Sequence, residues 1–346
     1  MNVLGIETSC DETAAALVED GRRILSNVVA SQVDVHSVYG GVVPELASRE
    51  HASNINHVVD LCLERAWNGE SDWDRVDGIA VTRGPGLVGA LLVGMAYAKA
   101  LAFALEIPMV GVNHLEGHIR SVPLEHPGAE LPALALVVSG GHTSLFCLDD
   151  ERSCRELSRT RDDAAGEALD KLSKALGLGY PGGPVIDRLA PLGNPKAVRF
   201  SLPRTKGAEL DFSFSGIKTA ALRHCRLEGI QPVEPEFAKS PKTVPKAMLD
   251  LVASYQKCVV DQLLDRLEKA WKRHDVRSIQ ISGGVSANSE LRRRAADHFR
   301  DRAPVYFPSL LLSTDNAAMI AATGHRRLAA GERDSWDLTA EPNLPL

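Results

Sequence analysis

Hydrophobic and polar positions along this chain follow one grammar that is used twice. Val3–Ile6 is apolar, Glu7–Thr13 (ETSCDET) is polar or small, and Ala14–Val18 is apolar again. Ala135–Val138 breaks in the same way into Ser139-Gly140-Gly141-His142-Thr143, and apolar sequence resumes through Leu148. Each stretch predicts a strand, a tight turn and a second strand. Two copies about 130 residues apart predict two related halves, each opening with a β-hairpin. Between them, Val42–Asn68 carries apolar residues at three- and four-residue spacing and reads as a helix. Asp77–Thr82 reads as a buried strand that enters the glycine-rich turn Arg83–Gly89 and then a small-residue helix to Leu105. Pro108–Val112 is another short strand. In the second half, Asp162–Leu176 is helix-like, Gly177–Pro184 is too rich in Gly and Pro for regular structure, and Asp211–Thr219 alternates like a strand before turning helical. Ala247–Arg273 is a long amphipathic helix, Val276–Ile281 a strand, and Ser289–Phe299 a helix. Thr314 and Asp315 give the start signal for an alanine-rich helix over Ala317–Ala330. The pattern is α/β.

Bulk composition narrows the class. A chain of 346 residues, 44% hydrophobic and 24% charged, suits two lobes with sizeable cores. No apolar run reaches the roughly 18–20 residues that span a bilayer, and Met1–Cys10 lacks a basic region followed by a signal-type apolar core. The six cysteines (Cys10, Cys62, Cys147, Cys154, Cys225, Cys258) are scattered, with no CxxC. A reduced cytoplasmic setting without a membrane is the expectation. Net charge is −6, which argues against indiscriminate nucleic-acid binding. The balance is uneven, however. Lys196–Lys246 holds ten Lys/Arg against five Asp/Glu, and Arg292-Arg293-Arg294 adds a basic cluster. A solvated surface explains these positives as well as phosphate contacts do.

The polar turns hold the candidate chemistry. Two glycines flanked by hydroxyls at Ser139–Thr143 leave backbone N–H groups able to cradle an anion, although an ordinary hairpin has the same look. Gly182-Gly183 and Ser282-Gly283-Gly284 repeat the device. Three such turns at strand ends would converge on phosphate, ribose and base, with Asp170 and Asp187 as ribose acceptors. Arg83–Gly89 matches neither common phosphate-loop spacing, and close strand–helix packing explains its glycines equally well. His114 and His118 are four apart, so a helix puts both imidazoles on one face. Glu116 sits between them, off the position a zincin-type base requires. Asp315 would complete a two-His, one-carboxylate metal set with open positions.

These residues carry a resemblance. IETSCDET (6–13), NHLEGHI (113–119), VSGGHT (138–143), EALDK (167–171), YPGGP (180–184), FSFSGIKT (212–219), SGGVSAN (282–288) and STDNAAMIA (313–321) run end to end through the chain. Together they resemble the tRNA N6-adenosine threonylcarbamoyltransferase family, once labelled O-sialoglycoprotein endopeptidase. The resemblance implies the α/β, two-lobed ASKHA fold of actin, Hsp70 and sugar kinases, with a duplicated mixed β-sheet core and a nucleotide in the interlobe cleft. The expected boundaries are an N-terminal lobe over 1–120 and a C-terminal lobe over 133–315 with a basic, Pro-rich excursion near 196–246. A C-terminal helix and tail over 316–346 is expected to pack back on the first lobe.

By the same resemblance, His114, His118 and Asp315 bind one divalent ion, Fe(2+) or Zn(2+). Val137, Val138, Ser139, Gly140, Gly141, Asp170, Gly183, Asp187 and Asn288 hold the adenylate. The implied reaction moves threonylcarbamoyl from threonylcarbamoyl-AMP to the exocyclic amine of the adenosine 3′ of the anticodon, in tRNAs reading codons that begin with adenine. AMP leaves. Asp11 and Glu12, paired on the first turn, are the expected general-base carboxylates. Expected partners are the tRNA anticodon loop, a paralogous subunit and an ATPase. An ATP-dependent carbamoyltransferase or kinase of the same fold is the alternative, and a metalloprotease a weaker one.

Overall fold

The structure, a computed structural model, describes residues 1–151, 153–202, 208–234 and 243–346. Parts of the basic, Pro-rich excursion, 203–207 and 235–242, therefore lie outside the described residues. The chain forms two compact units, Met1–Gly128 with Pro308–Leu346, and Ala129–Phe307. The return to the first unit falls at Pro308, ahead of the expected 316, so Asp315 belongs to the same unit as His114 and His118.

In the first unit, β1 (Asn2–Glu7), β2 (Glu12–Glu19), β3 (Arg23–Ser31), β4 (Gly78–Gly84) and β5 (Met109–Asn113) form a sheet of order β3-β2-β1-β4-β5. The first three strands are antiparallel neighbours, while β4 runs parallel to β1 and β5 to β4. In the second, β6 (Ala133–Val138), β7 (Thr143–Leu148), β8 (Cys154–Arg159), β9 (Ser278–Ser282) and β10 (Val305–Tyr306) repeat that plan as β8-β7-β6-β9-β10. Register repeats as well: Ile6 lies between Ala15 and Val81, and Leu136 between Leu145 and Ile281. The expected duplicated, mixed-sheet core is thus present in the hydrogen bonding itself.

The central strands are apolar on both sides because both faces are covered. Leu4 and Ile6 pack with Val58 and Val59 of the helix Pro44–Ala66 and Met95 of the helix Val88–Ala104. Val3, on the other face, packs with Ala317–Ala321 of the helix Ala317–Ala329. In the second unit Leu134, Leu136 and Val138 of β6 share one core with the helices Ala165–Leu176, Lys246–Trp271 and Ser289–Phe299.

Two sheet-edge strands lie outside the sequence expectations, and two local expectations change. The sheet-edge strands β3 and β8 show mixed burial, so neither carried a clean hydrophobic pattern. Gly182–Leu189 is a helix despite its Gly-Gly-Pro start, because first-turn N–H groups need no intrahelical partner. Asp211–Phe214 is not a strand: Phe212 makes a single bridge with Thr160, and Asp162 accepts the Phe214 (2.7 Å) and Ser215 (3.2 Å) N–H groups at the start of the helix Ser215–Glu228.

Candidate active site

The first unit assembles a His–His–carboxylate cluster from three elements. Asn113, at the end of β5, caps the helix His114–Glu125, its side-chain oxygen accepting from Leu115 N–H at 2.9 Å. That start point places His114 in the first turn and His118 one turn on, with ring centroids 4.7 Å apart. Both Nε2 atoms face Asp315 Oδ1, at 3.6 Å from His114 and 3.1 Å from His118. The helix Ala317–Ala329 is capped by Asn316, which accepts from Met319 N–H at 3.1 Å. The expected Thr/Asp start signal is therefore displaced by one residue, and that displacement leaves the Asp315 carboxylate for the two imidazoles. One ligand atom from each of the three residues lies within 4.8 Å of the others.

A residue that sequence reasoning passed over organises this cluster. Glu7, fully buried at the end of β1, places Oε2 3.0 Å from His114 Nδ1. It is itself held by Thr82 Oγ1 (2.7 Å) and Ser9 N–H (2.5 Å). A carboxylate behind a ligand imidazole fixes its tautomer and turns the other nitrogen toward the metal. Burial disfavours a charged His114, but Glu7 and Asp315 outweigh it and raise its pKa to about 9. Burial, with the His114 charge adding to it, lowers the pKa of His118, so that ring stays neutral. Two imidazoles with Nε2 turned inward and one carboxylate are a donor set that fits a first-row divalent ion. Glu116 is turned elsewhere, 3.9 Å from both Arg120 and Arg326. No protease-type base therefore accompanies the HxxxH pair on its helix.

Asp11 lies on the β1–β2 turn of the same unit, and Glu12 opens β2. Glu12 is only part-buried, yet burial, Asp11 and Asp315 together push its carboxyl well above the ordinary range, and Asp11 hydrogen-bonds it. Asp315 thus senses both the metal-type cluster and the acidic pair. Behind the turn runs a buried relay. His51 Nδ1 lies 2.7 Å from Thr13 Oγ1, and its Nε2 lies 3.0 Å from the Cys10 carbonyl. Gln32 bridges His51 (3.3 Å) and His36 (3.1 Å). His51 was not legible beside this turn, because its partners Thr13 and Cys10 lie 38 and 41 residues away.

The glycine-rich turn Arg83–Gly89 is a packing device. A Cβ on Gly86 would lie 2.6 Å from the Ser9 carbonyl oxygen, and one on Gly89 would collide with Ser48.

In the second unit the expected adenylate residues are joined by a chain of bonds. Ser139 N–H donates to the His142 carbonyl (2.8 Å), closing the turn. Gly166, in the first turn of the helix Ala165–Leu176, donates to the Ser139 carbonyl (3.2 Å) and leaves no room there for a Cβ. Further along that helix, Asp170 accepts from Gly182 (2.6 Å) and Gly183 (3.3 Å) N–H groups. Asp187, in turn, accepts from Ser289 N–H (3.0 Å) and Oγ–H (2.9 Å), beside Asn288, which caps the helix Ser289–Phe299. Gly283 lies against the Val138 carbonyl. Val137 and Val138 are core side chains, so only their backbone can meet a ligand. Gly140, Gly141, Gly183 and Gly284 all face open space where a Cβ would stand. Two glycine turns and the glycine-led start of the helix Gly182–Leu189 thus sit on one connected framework with bare backbone outward.

As a class, the repeated α/β unit is the ASKHA fold, and this chain adds to it a His–His–Asp cluster in the first copy and glycine-rich backbone in the second. The structure of T. kodakarensis HypF shares the fold, with a TM-score of 0.59 at 12% identity, over 95% of this chain and 48% of that one. The particular family follows from sequence. Residues 23–322 match the family model TsaD, tRNA N6-adenosine threonylcarbamoyltransferase. Proteins of that name from Koribacter versatilis (49% identical; 99% of this chain, 98% of that protein) and Anaeromyxobacter dehalogenans (52%; 98% of each) align along the whole length. The chain belongs to the tRNA N6-adenosine threonylcarbamoyltransferase family and is a transferase. Among the described residues no helix is long and apolar enough to cross a membrane.

Proposed function

We propose that this chain transfers threonylcarbamoyl from threonylcarbamoyl-AMP to N6 of the adenosine 3′ of the anticodon, in tRNAs reading codons that begin with adenine. The observation that carries this reading is family membership over nearly the whole chain, joined to a His–His–Asp set with an orienting Glu7. In the reaction the carbamoyl C–O bond to phosphate breaks, a C–N6 bond forms, N6 gives up a proton, and AMP leaves. The amine is a poor nucleophile, so the proton needs a base. Glu12, raised by burial, Asp11 and Asp315, is a stronger base than an ordinary carboxylate and takes that role, with Asp11 holding it in place. The second unit grips the leaving group: the open backbone at Gly140 and Gly141 meets the phosphate in the turn that Ser139 closes, while Asp170, Gly183, Asp187 and Asn288 frame the rest of the adenylate.

A divalent ion held by His114, His118 and Asp315, Fe(2+) first and Zn(2+) second, would supply positive charge to polarise a carbonyl or phosphate oxygen. Glu7 keeps the His114 ring oriented and Thr82 and Ser9 keep Glu7 in place. The expected partners, a paralogous subunit and an ATPase, come from the family resemblance.

Mass analysis of nucleosides from tRNA incubated with the complex and threonylcarbamoyl-AMP tests the reaction. Threonylcarbamoyladenosine at that one position, with AMP released in equal amount, is the expected result. Unmodified tRNA, or a product formed from ATP and carbamoyl phosphate instead, would overturn it.

A further inference from the structure

The basic residues of the second unit divide sharply into spent and unspent charges. Arg292 donates to the Ser286 carbonyl (2.7 Å) and stacks on Phe307, Arg293 pairs with Glu290 (2.8 Å), and Arg294 pairs with Asp261 (2.5 Å). Lys218 pairs with Asp163 (2.9 Å) and Lys246 with Asp250 (2.5 Å). Lys196 and Arg199 are different: both are exposed, and among the described residues no carboxylate pairs with either.

Their loop is built, not merely exposed. Gly193–Phe200 lies along the helix Lys246–Trp271. Asn194 N–H donates to Asp250 Oδ1 (2.6 Å), Val198 N–H donates to Ser254 Oγ (3.1 Å), and the Phe200 ring meets Tyr255 edge-on at 6.1 Å. A Cβ on Gly193 would collide with the Leu249 carbonyl, so the backbone is seated directly on the helix. Between loop and helix is a cavity of about 270 Å³ lined by Lys196, Arg199, Phe200, Lys257 and Asp261 among others. Its one carboxylate, Asp261, is already shared between Lys257 (2.5 Å) and Arg294 (2.5 Å). The cavity is left with a net positive charge carried by a point-charge ammonium and a forked guanidinium on a pinned loop, groups suited to phosphate oxygens.

We propose that this cavity is a subsite for backbone phosphates of the RNA substrate, and this rests on the reading that tRNA is that substrate. Both cations line the cavity and are exposed, which suits a polyanion running across them better than a small anion enclosed between them. Phosphate contacts of this kind position an RNA without reading its sequence.

Equilibrium binding of unmodified tRNA to the full-length protein over a salt series tests the subsite. The Lys196→Gln/Arg199→Gln variant should show a log K against log salt slope shallower by about 1.4–1.8, the loss of two phosphate contacts. Its melting temperature and metal content should match the parent. The Arg293→Gln/Arg300→Gln variant removes positives already paired with carboxylates and should keep the parental slope. An unchanged slope in the first variant, an equal loss in the second, or displacement of tRNA by poly-glutamate at equal charge would overturn the subsite. If the parent itself bound no tRNA, the substrate reading would fall and the subsite with it. If the parent bound and modified tRNA while the slope stayed unchanged, only the subsite would fall.

Discussion

Besides the Ser9 N–H two residues on, the Glu7 carboxylate bonds to Thr82 and His114, 75 and 107 residues away. Removing its charge while keeping its shape, as in Glu7→Gln, should weaken metal binding about 10–100-fold, because the His114 ring loses its orienting carboxylate. Metal titration monitored by calorimetry reads this directly, and parental affinity would contradict the role. A pH dependence follows from the same contact. In the metal-free protein burial opposes a charged His114, but Glu7 and Asp315 keep it protonated up to about pH 9. A bound ion must displace that proton, so apparent affinity should rise about tenfold per pH unit from pH 7 toward 9 and then level off. The sign for folding is opposite. A raised imidazole stabilises the metal-free chain fully below its ordinary pKa of about 6.5, and that contribution disappears as pH climbs through about 9. Metal-free melting temperature should therefore fall across this window. At this scale the HxxxH spacing was legible, since period alone puts His114 and His118 on one face. Glu7 was not, because a buried glutamate at a strand end looks like any turn-flanking polar residue until its partner is known.

At the scale of elements, the helix Ala317–Ala329 carries the consequence of where it starts and what it touches. A Cβ on Gly5 would collide with the Ala317 carbonyl and lie 2.7 Å from Ala321 N. Gly5→Ala should thus cost about 1–3 kcal/mol by overpacking and displace the helix whose preceding residues include Asp315. A lower urea midpoint together with weaker metal binding is expected, and loss of stability alone would separate the two effects. The glycine turn of the second unit should behave in the reverse way. Gly140 faces open space and its backbone is not left-handed, so Gly140→Val should leave the melting temperature nearly unchanged while blocking binding of threonylcarbamoyl-AMP. Retained binding would remove the turn from the site. Most helices and the central strands were legible here from period and burial. The helix Gly182–Leu189 was not, because its start depends on Asp170 supplying acceptors from another helix.

At the scale of the whole molecule, the end of the chain returns to support the metal-type helix. Arg83 pairs with Glu341, and Asn113 Nδ2 donates to the Pro345 carbonyl (3.1 Å) while its oxygen caps the helix His114–Glu125. Deleting 341–346 should free that cap, speed amide hydrogen exchange at 114–118 and weaken metal binding several-fold. Unchanged protection there would show that the cap holds without the tail. The duplication also belongs to this scale. Two five-stranded sheets share one strand order and one register, although their sequences share only the strand–turn–strand rhythm.

What the sequence determined alone is whatever depends on local spacing: α/β alternation, the two hairpins, the HxxxH face, and the motifs that mark the family. Such features need only the periods of helix and strand and the steric freedom of glycine. Tertiary structure decided which polar residues meet. Asn316 taking the cap left Asp315 to the imidazoles, Glu7 met His114 across the sheet, and Asp261 neutralised Arg294 while Lys196 and Arg199 met no carboxylate among the described residues. Hydrogen bonds and ion pairs form between groups brought close by packing, and packing is a property of the whole chain.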